Sequence, residues 1–115
     1  MHHIVALTVG RDPLLLETRS QVLRSAGYTV VSELSIEQAF KDFLTGAFDI
    51  VILCHSISVR NREALANAIR SHSPNTPVVV VAARLSAIDR FADATIPNDP
   101  AILLQEIPKI LHKDA

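Results

Sequence analysis

Short apolar runs alternate with helical segments along the whole chain. Four runs are rich in β-branched residues and too short to form core helices, which is typical of buried strands. They are Ile4–Val9, Thr29–Val31, Ile50–Cys54 and Val78–Val81, and a shorter strand is predicted near Thr95–Ile96. Because helical segments separate these runs, the pattern predicts parallel strands joined by right-handed helical crossovers.

Two Asp-Pro pairs predict helix starts, with the carboxylate at the N-cap and the proline in the first turn. Asp12–Pro13 opens a helix that Gly27 ends, and its predicted apolar face is Leu15, Leu16, Val22, Leu23 and Ala26. Asp99–Pro100 opens the last helix, Ala101–Leu111, in which Pro108 predicts a kink or break near Leu104–Glu106.

The two middle helices follow from capping and spacing. Ser35–Gln38 matches a capping box, and the helix it opens has the predicted apolar face Ile36, Ala39, Phe40, Phe43 and Leu44. Asn61–Arg70 is predicted as the third helix, with an inward face of Ala64, Leu65, Ala68 and Ile69.

This order of elements predicts one α/β domain spanning residues 1–115. Five parallel strands with helices on both faces suit a flavodoxin-like sheet of strand order 2-1-3-4-5, whose ligand crevice lies at the carboxyl ends of strands 1 and 3. The residues predicted at that crevice are therefore Gly10–Asp12 and Cys54–Ser58.

Composition excludes several classes of protein. The chain is 49% hydrophobic, and its eleven Lys and Arg against twelve Asp and Glu give a net charge of -1. This nearly equal number of positive and negative charges argues against direct nucleic-acid binding. No apolar run approaches the ~20 residues of a membrane span, no signal-peptide pattern opens the chain, and one cysteine excludes an internal disulfide framework. We therefore expect a cytoplasmic protein.

Four segments carry a resemblance to a known family: LTVGRDPLLLETRSQVLRSAGYTVV, FDIVILCHSIS, NTPVVVVAA and ADATIP. Over nearly its whole length the chain resembles the receiver domain of bacterial two-component response regulators. The Asp12–Pro13 and Gly27–Tyr28 pairs stand at the family's spacing. The resemblance implies the receiver fold and a place in two-component signalling.

The residues that perform phosphotransfer in the family are missing here. The resemblance places the metal-binding acidic pair on Gly10 and Arg11 and the nucleophilic aspartate on Cys54. It places the phosphoryl-reading hydroxyl on Ala82 and the lysine on Asn98, while Asp12 matches a third, non-obligatory acidic position. Because Mg²⁺ needs oxygen ligands and a thiol cannot form an acyl phosphate, we expect a degenerate pseudo-receiver without a metal or other cofactor.

Cys54 has a reactive and an inert interpretation. Its neighbour His55 suggests a Cys–His nucleophile, but adjacent strand residues point to opposite faces. Arg11 could lower the pKa of Cys54 across the crevice. We favour the alternative, a small buried residue whose thiol pKa burial raises and which reacts slowly.

A group of arginines is predicted near the carboxyl ends of the strands, namely Arg11, Arg60, Arg62 and Arg84. They could form a mouth that binds an anion such as a nucleotide phosphate or an acidic peptide. The alternative, which we favour, is solvated loop charge. His55, His72 and His112 lack metal-ligand spacing, so no metal site is expected.

The connection before the last strand is unusually short. Only about a dozen residues separate Ala82 from Thr95, which leaves the fourth helix of the family shortened or absent. Apolar side chains there must pack inward or form an interface with a partner or a second copy, and the candidates are Leu85, Ile88, Phe91 and Ile96.

No paired carboxylates, catalytic triad or metal cluster supports an enzyme. We therefore expect a phosphorylation-independent, receiver-like module that binds a protein partner or itself. The alternative is a small-ligand or anion sensor that uses the arginine mouth.

Overall fold

The computed structural model describes residues 3–83 and 89–112. Its strands are β1 (Val5–Val9), β2 (Thr29–Glu33), β3 (Ile50–Cys54), β4 (Val78–Ala82) and β5 (Ala94–Pro97). Its helices are α1 (Pro13–Ser25), α2 (Ile36–Thr45), α3 (Val59–His72) and α4 (Pro100–Leu111). The strands form one parallel sheet of order β2-β1-β3-β4-β5, which confirms the predicted flavodoxin-like topology.

Alternation along the strands divides the core between the two faces of the sheet. Leu7, Val51 and Val80 pack with α2 and α3 on one face. Ala6, Ile52 and Val79 pack with α1 and α4 on the other. Because β3 and β4 are buried along their whole length, they are apolar at every position.

The predicted caps form as expected, with one exception. Asp12 Oδ1 accepts hydrogen bonds from the amides of Leu14 and Leu15 at 3.0 and 3.2 Å, and Asp99 caps α4 in the same way. Ser35 Oγ accepts from the Gln38 amide at 3.2 Å, but the Gln38 side chain donates to Asp42 instead of returning to Ser35. Only half of the capping box is therefore present.

Helix α1 buries polar residues that the sequence did not assign to the core. Arg19 and Ser20 are buried, whereas the predicted core residue Ala26 is exposed. Ser20 Oγ lies 2.6 Å from Ser32 Oγ and 3.1 Å from Thr8 Oγ1. This triangle of hydroxyls satisfies the polar atoms beneath α1.

Two other predicted helix faces need correction. Leu44 of α2 is exposed, and in α3 the buried alanine is Ala66 while Ala64 is exposed. Helix α3 also begins earlier than predicted, because Ser58 accepts from the Asn61 amide and serves as its N-cap.

The predicted break in the last helix is wrong, since α4 continues from Pro100 to Leu111. Pro108 lies in the last part of the helix, where its missing amide removes one intrahelical bond. Leu103 and Ile107 hold α4 on the core.

Between β4 and β5, described residues 83 and 89–93 form bends and turns and no helix. This agrees with the shortened connection that the sequence predicts. The interface candidates Leu85 and Ile88, and the arginine Arg84, lie outside the described residues.

Candidate functional site at the carboxyl ends of the strands

Cys54 ends β3 and has no solvent-exposed surface. Gly10, the first residue after β1, packs directly against it. A Cβ at position 10 would lie 2.9 Å from Cys54 Cβ, closer than two carbons can approach without displacement. The structure therefore excludes even a methyl group at position 10 unless Cys54 moves.

Ser56 joins the two loops that line the crevice. Its hydroxyl accepts a hydrogen bond from the Arg11 amide at 2.9 Å, and its own amide donates to Cys54 Sγ at 3.5 Å. The β1–α1 loop is thus attached to the β3–α3 loop by a side chain of the protein itself.

Arg19 enters this crevice from α1. The residue is 6% exposed, and its Nη2 donates to Asn98 Oδ1 at 3.0 Å. The Asn98 amide in turn donates to the carbonyl of Ala82 at 3.1 Å. Arg19 therefore connects α1 to the ends of β4 and β5. Its partner Asn98 stands at the position where the resemblance places a lysine.

Opposing effects act on the pKa of the Cys54 thiol. Burial raises it, whereas hydrogen bonds from Ser56 and Arg19 and the positive charge of Arg19 lower it. The net pKa lies below the ordinary value for cysteine. This corrects two expectations, because burial does not decide the direction and the nearby cation is Arg19 rather than Arg11.

Asp12 does not supply a metal ligand set. Its carboxylate caps α1, and Arg11 beside it is exposed. Within residues 3–83 and 89–112, no group of three His, Cys, Asp or Glu side chains could hold a metal ion.

Arg62 is not available to an anion-binding mouth. Its Nε and Nη2 donate to the two carboxylate oxygens of Asp89 at 2.8 and 3.3 Å, and these side chains are only 12% and 8% exposed. Its Nη1 donates to the carbonyls of His55 and Ile57. Arg62 thus holds the β4–β5 connection against α3. Arg60, like Arg11, is exposed.

One residue of the predicted interface near β5 needs correction. Ile96 is 2% exposed and belongs to the core beneath α1 and α4. Phe91 is half-buried against the opposite core. The correction therefore concerns Ile96 alone, since Phe91 keeps part of its surface exposed and Leu85 and Ile88 lie outside the described residues.

Three of the four large apolar side chains that are exposed in the described part of the chain lie at the carboxyl edge of the sheet. Leu14 in the first turn of α1 is 77% exposed, Leu34 after β2 is 49% exposed and Val59 at the start of α3 is 56% exposed. We call Leu14, Leu34 and Val59 the apolar edge.

The spacing of residues along α1 indicates that Arg19 is buried, although the apolar pattern alone did not assign it to the core. Leu16, Arg19, Ser20 and Leu23 follow one another at intervals of three, one and three residues and share the buried face of α1. A charged residue in the middle of an apolar face indicates a buried charge that needs a partner.

No protein-family model matches the sequence, and no curated protein sequence matches it either. Solved structures do match its fold. The chemotaxis response regulator CheY4 of Vibrio cholerae is 19% identical with a TM-score of 0.83, over 95% of this chain and 99% of that one. A CheY-like receiver domain from Methylobacillus flagellatus is also 19% identical, with a TM-score of 0.82 over 95% and 99% of the two chains.

The response regulator TrrA of Thermotoga maritima, solved in complex with Mg²⁺-BeF, is 24% identical with a TM-score of 0.79, over 93% of this chain and 98% of that one. These likenesses show a shared fold. The protein therefore has the fold of response regulator receiver domains.

Among the described residues, no helix is both long enough and apolar enough to cross a membrane.

Proposed function

We propose that the chain is a receiver-like signalling module that binds a protein partner without being phosphorylated. The observation that carries this proposal is the Arg19 guanidinium, which lies buried in the crevice and is bonded to Asn98 at 3.0 Å. A fixed cation at this point opposes the entry of Mg²⁺ by Coulomb repulsion.

The other crevice residues support the same proposal. Mg²⁺ prefers an octahedral set of oxygen ligands, whereas Gly10 offers no side chain and Cys54 offers sulfur. An acidic residue at position 10 would need a Cβ, and that Cβ would lie only 2.9 Å from Cys54 Cβ. Both features support the proposal that this crevice does not carry out a metal-dependent phosphoryl transfer.

The Ser56 bridge supports a conformation that needs no phosphoryl group. It joins the β1–α1 and β3–α3 loops through the Arg11 amide at 2.9 Å. The crevice is therefore assembled by hydrogen bonds within the chain.

The apolar edge supports a protein partner. Contiguous exposed apolar surface is typical of interaction sites, and the three side chains of the apolar edge all follow the carboxyl ends of neighbouring strands. The simplest partner is a second copy of the chain, in a two-fold contact through this edge.

An amide-shift titration with Mg²⁺ and beryllofluoride tests the absence of phosphorylation. We expect no saturable shift at Gly10, Arg11 or Cys54 up to millimolar concentrations. TrrA, whose solved structure contains Mg²⁺-BeF, serves as the positive control. Saturable shifts confined to these residues would refute the proposal.

A further inference from the structure

The charge of Arg19 is only partly compensated. Within the described chain no carboxylate forms an ion pair with it. Its partners are the amide oxygen of Asn98 at 3.0 Å and the thiol of Cys54. A buried guanidinium costs free energy unless an opposite charge accompanies it, so this site has unused capacity for an anion.

A cavity of about 50 Å³, with Arg19 among its lining residues, lies between α1 and α4. Apolar side chains form most of its wall, including Leu15, Val22, Val81 and Leu103. Arg19 and Asn98 line it as well. The cavity thus combines one cation and one side-chain amide with an aliphatic surface.

We infer that this cavity binds a short-chain aliphatic carboxylate. The carboxylate pairs with the Arg19 guanidinium, whose planar donors match its two oxygens. The aliphatic chain lies against Leu15, Val22 and Leu103. The inference rests on Arg19 and the cavity, and it does not depend on whether the protein is phosphorylated.

The size and lining of the cavity set the ligand class. An engineered apolar cavity of about 150 Å³ accommodates benzene, so about a third of that volume suits a chain of about three carbons. An anion with oxygens on every side, such as phosphate, would place some of them against apolar walls without hydrogen bonds. The cavity therefore favours a carboxylate with one polar end.

Asp99 also lines the cavity, and its negative charge must be considered. Its Oδ1 accepts hydrogen bonds from the amides of Ala101 and Ile102 at 2.9 and 3.4 Å. The positive end of the α4 dipole offsets this carboxylate. Arg19 is therefore the charge that selects the ligand.

Propionate is the probe that tests the inference, with 1-propanol as its neutral counterpart. Amide-shift titrations of the wild-type chain should show saturable propionate binding, with shifts confined to residues around Arg19 and Leu103. Arg19→Met should weaken binding by about tenfold or more, because a charge-assisted interaction is lost. Arg60→Met, which removes an exposed arginine, should leave the affinity within about twofold.

Val22→Phe provides a second test that keeps the charge of Arg19. The phenyl ring is larger than the valine side chain and fills the cavity. Propionate binding should therefore be lost even though the guanidinium remains. This variant decides the question if Arg19→Met does not fold.

Three results would overturn the inference. The first is an absence of saturable propionate binding to the wild type, and the second is binding of 1-propanol as tight as that of propionate. The third is loss of binding in Arg60→Met with retention in Val22→Phe, which would locate the anion site at the arginine mouth.

Discussion

Cys54 shows how hydrogen bonds can outweigh burial at a single side chain. Its pKa lies below that of an ordinary thiol, because donors from Ser56 and Arg19 favour the thiolate more than burial disfavours it. An acid whose pKa is lowered by folding contributes stability at pH values above its unfolded pKa. That contribution is lost as the pH falls through the folded pKa.

We predict that ultraviolet titration of the folded protein gives a thiolate midpoint below the ordinary cysteine value. Arg19→Met and Ser56→Ala should each raise this midpoint, because each removes a group that lowers the pKa. The native thiol should nevertheless alkylate slowly, since Cys54 has no exposed surface. An unchanged midpoint in both variants would show that these groups do not act on the thiol.

Glu33 provides a second titration, close to neutral pH. A hydrogen bond with Asp42, burial and the Asp42 charge raise the pKa of Glu33 to about 7. The same hydrogen bond, together with one from Gln38, lowers the pKa of Asp42. The pair therefore shares one proton between about pH 4.5 and pH 7. Two carboxylates that do not interact would both be ionised in this range.

We predict that the carboxyl carbon of Glu33 titrates near pH 7 in a carbon-detected NMR experiment. Because folding raises this pKa, the associated stability is complete below the unfolded value and decreases as the pH rises through about 7. Glu33→Gln should remove that part of the pH dependence. A midpoint for Glu33 near 4.5, its ordinary value, would contradict the prediction.

At the scale of elements, one ion pair stabilises a connection that has no helix in its described part. Arg62 on α3 binds Asp89 through two hydrogen bonds and also donates to the carbonyls of His55 and Ile57. The pair thus links α3, the loop after β3 and the segment before β5. Loss of one member leaves a buried charge without its partner.

We predict that Arg62→Met and Asp89→Asn each lower the free energy of unfolding by about 3–5 kcal/mol. The double variant should cost less than the sum of the two, because the second substitution removes a charge already unpaired. Arg70→Met is the matched control, since its pair with Asp93 is 3.4 Å long and exposed, and should cost about 1 kcal/mol or less. Equal losses in Arg62→Met and Arg70→Met, measured by urea unfolding, would argue against a special role for the buried pair.

At the scale of the whole molecule, the apolar edge is the surface on which the proposed partner binding depends. We predict that Leu14→Glu abolishes self-association in sedimentation equilibrium while leaving the free energy of unfolding within about 0.5 kcal/mol of the wild type. Leu44→Glu is the matched control, because Leu44 is 44% exposed but lies outside this edge. A wild-type chain that stays monomeric at high concentration, or equal effects of both substitutions, would exclude the edge as a contact between copies.

The apolar pattern predicted the sheet well for a physical reason. Strand β3 was predicted to the residue as Ile50–Cys54, because a strand covered on both faces must be apolar throughout. The buried position of Arg19 could not be predicted in the same way. Its burial depends on Asn98, 79 residues away along the chain, and no local pattern reports such a partner. Arg62 was likewise predicted to be solvated loop charge or part of an anion-binding mouth, because its partner Asp89 lies 27 residues away along the chain.

The Ser56 bridge has a consequence for how such a module would carry information. A receiver that is closed by metal and phosphoryl group has two states, and a kinase sets the ratio between them. Here a serine hydroxyl joins the loops through a hydrogen bond of 2.9 Å, so under the proposed function their contact forms when the chain folds and needs no modifying enzyme. The contact would then persist for as long as the domain stays folded.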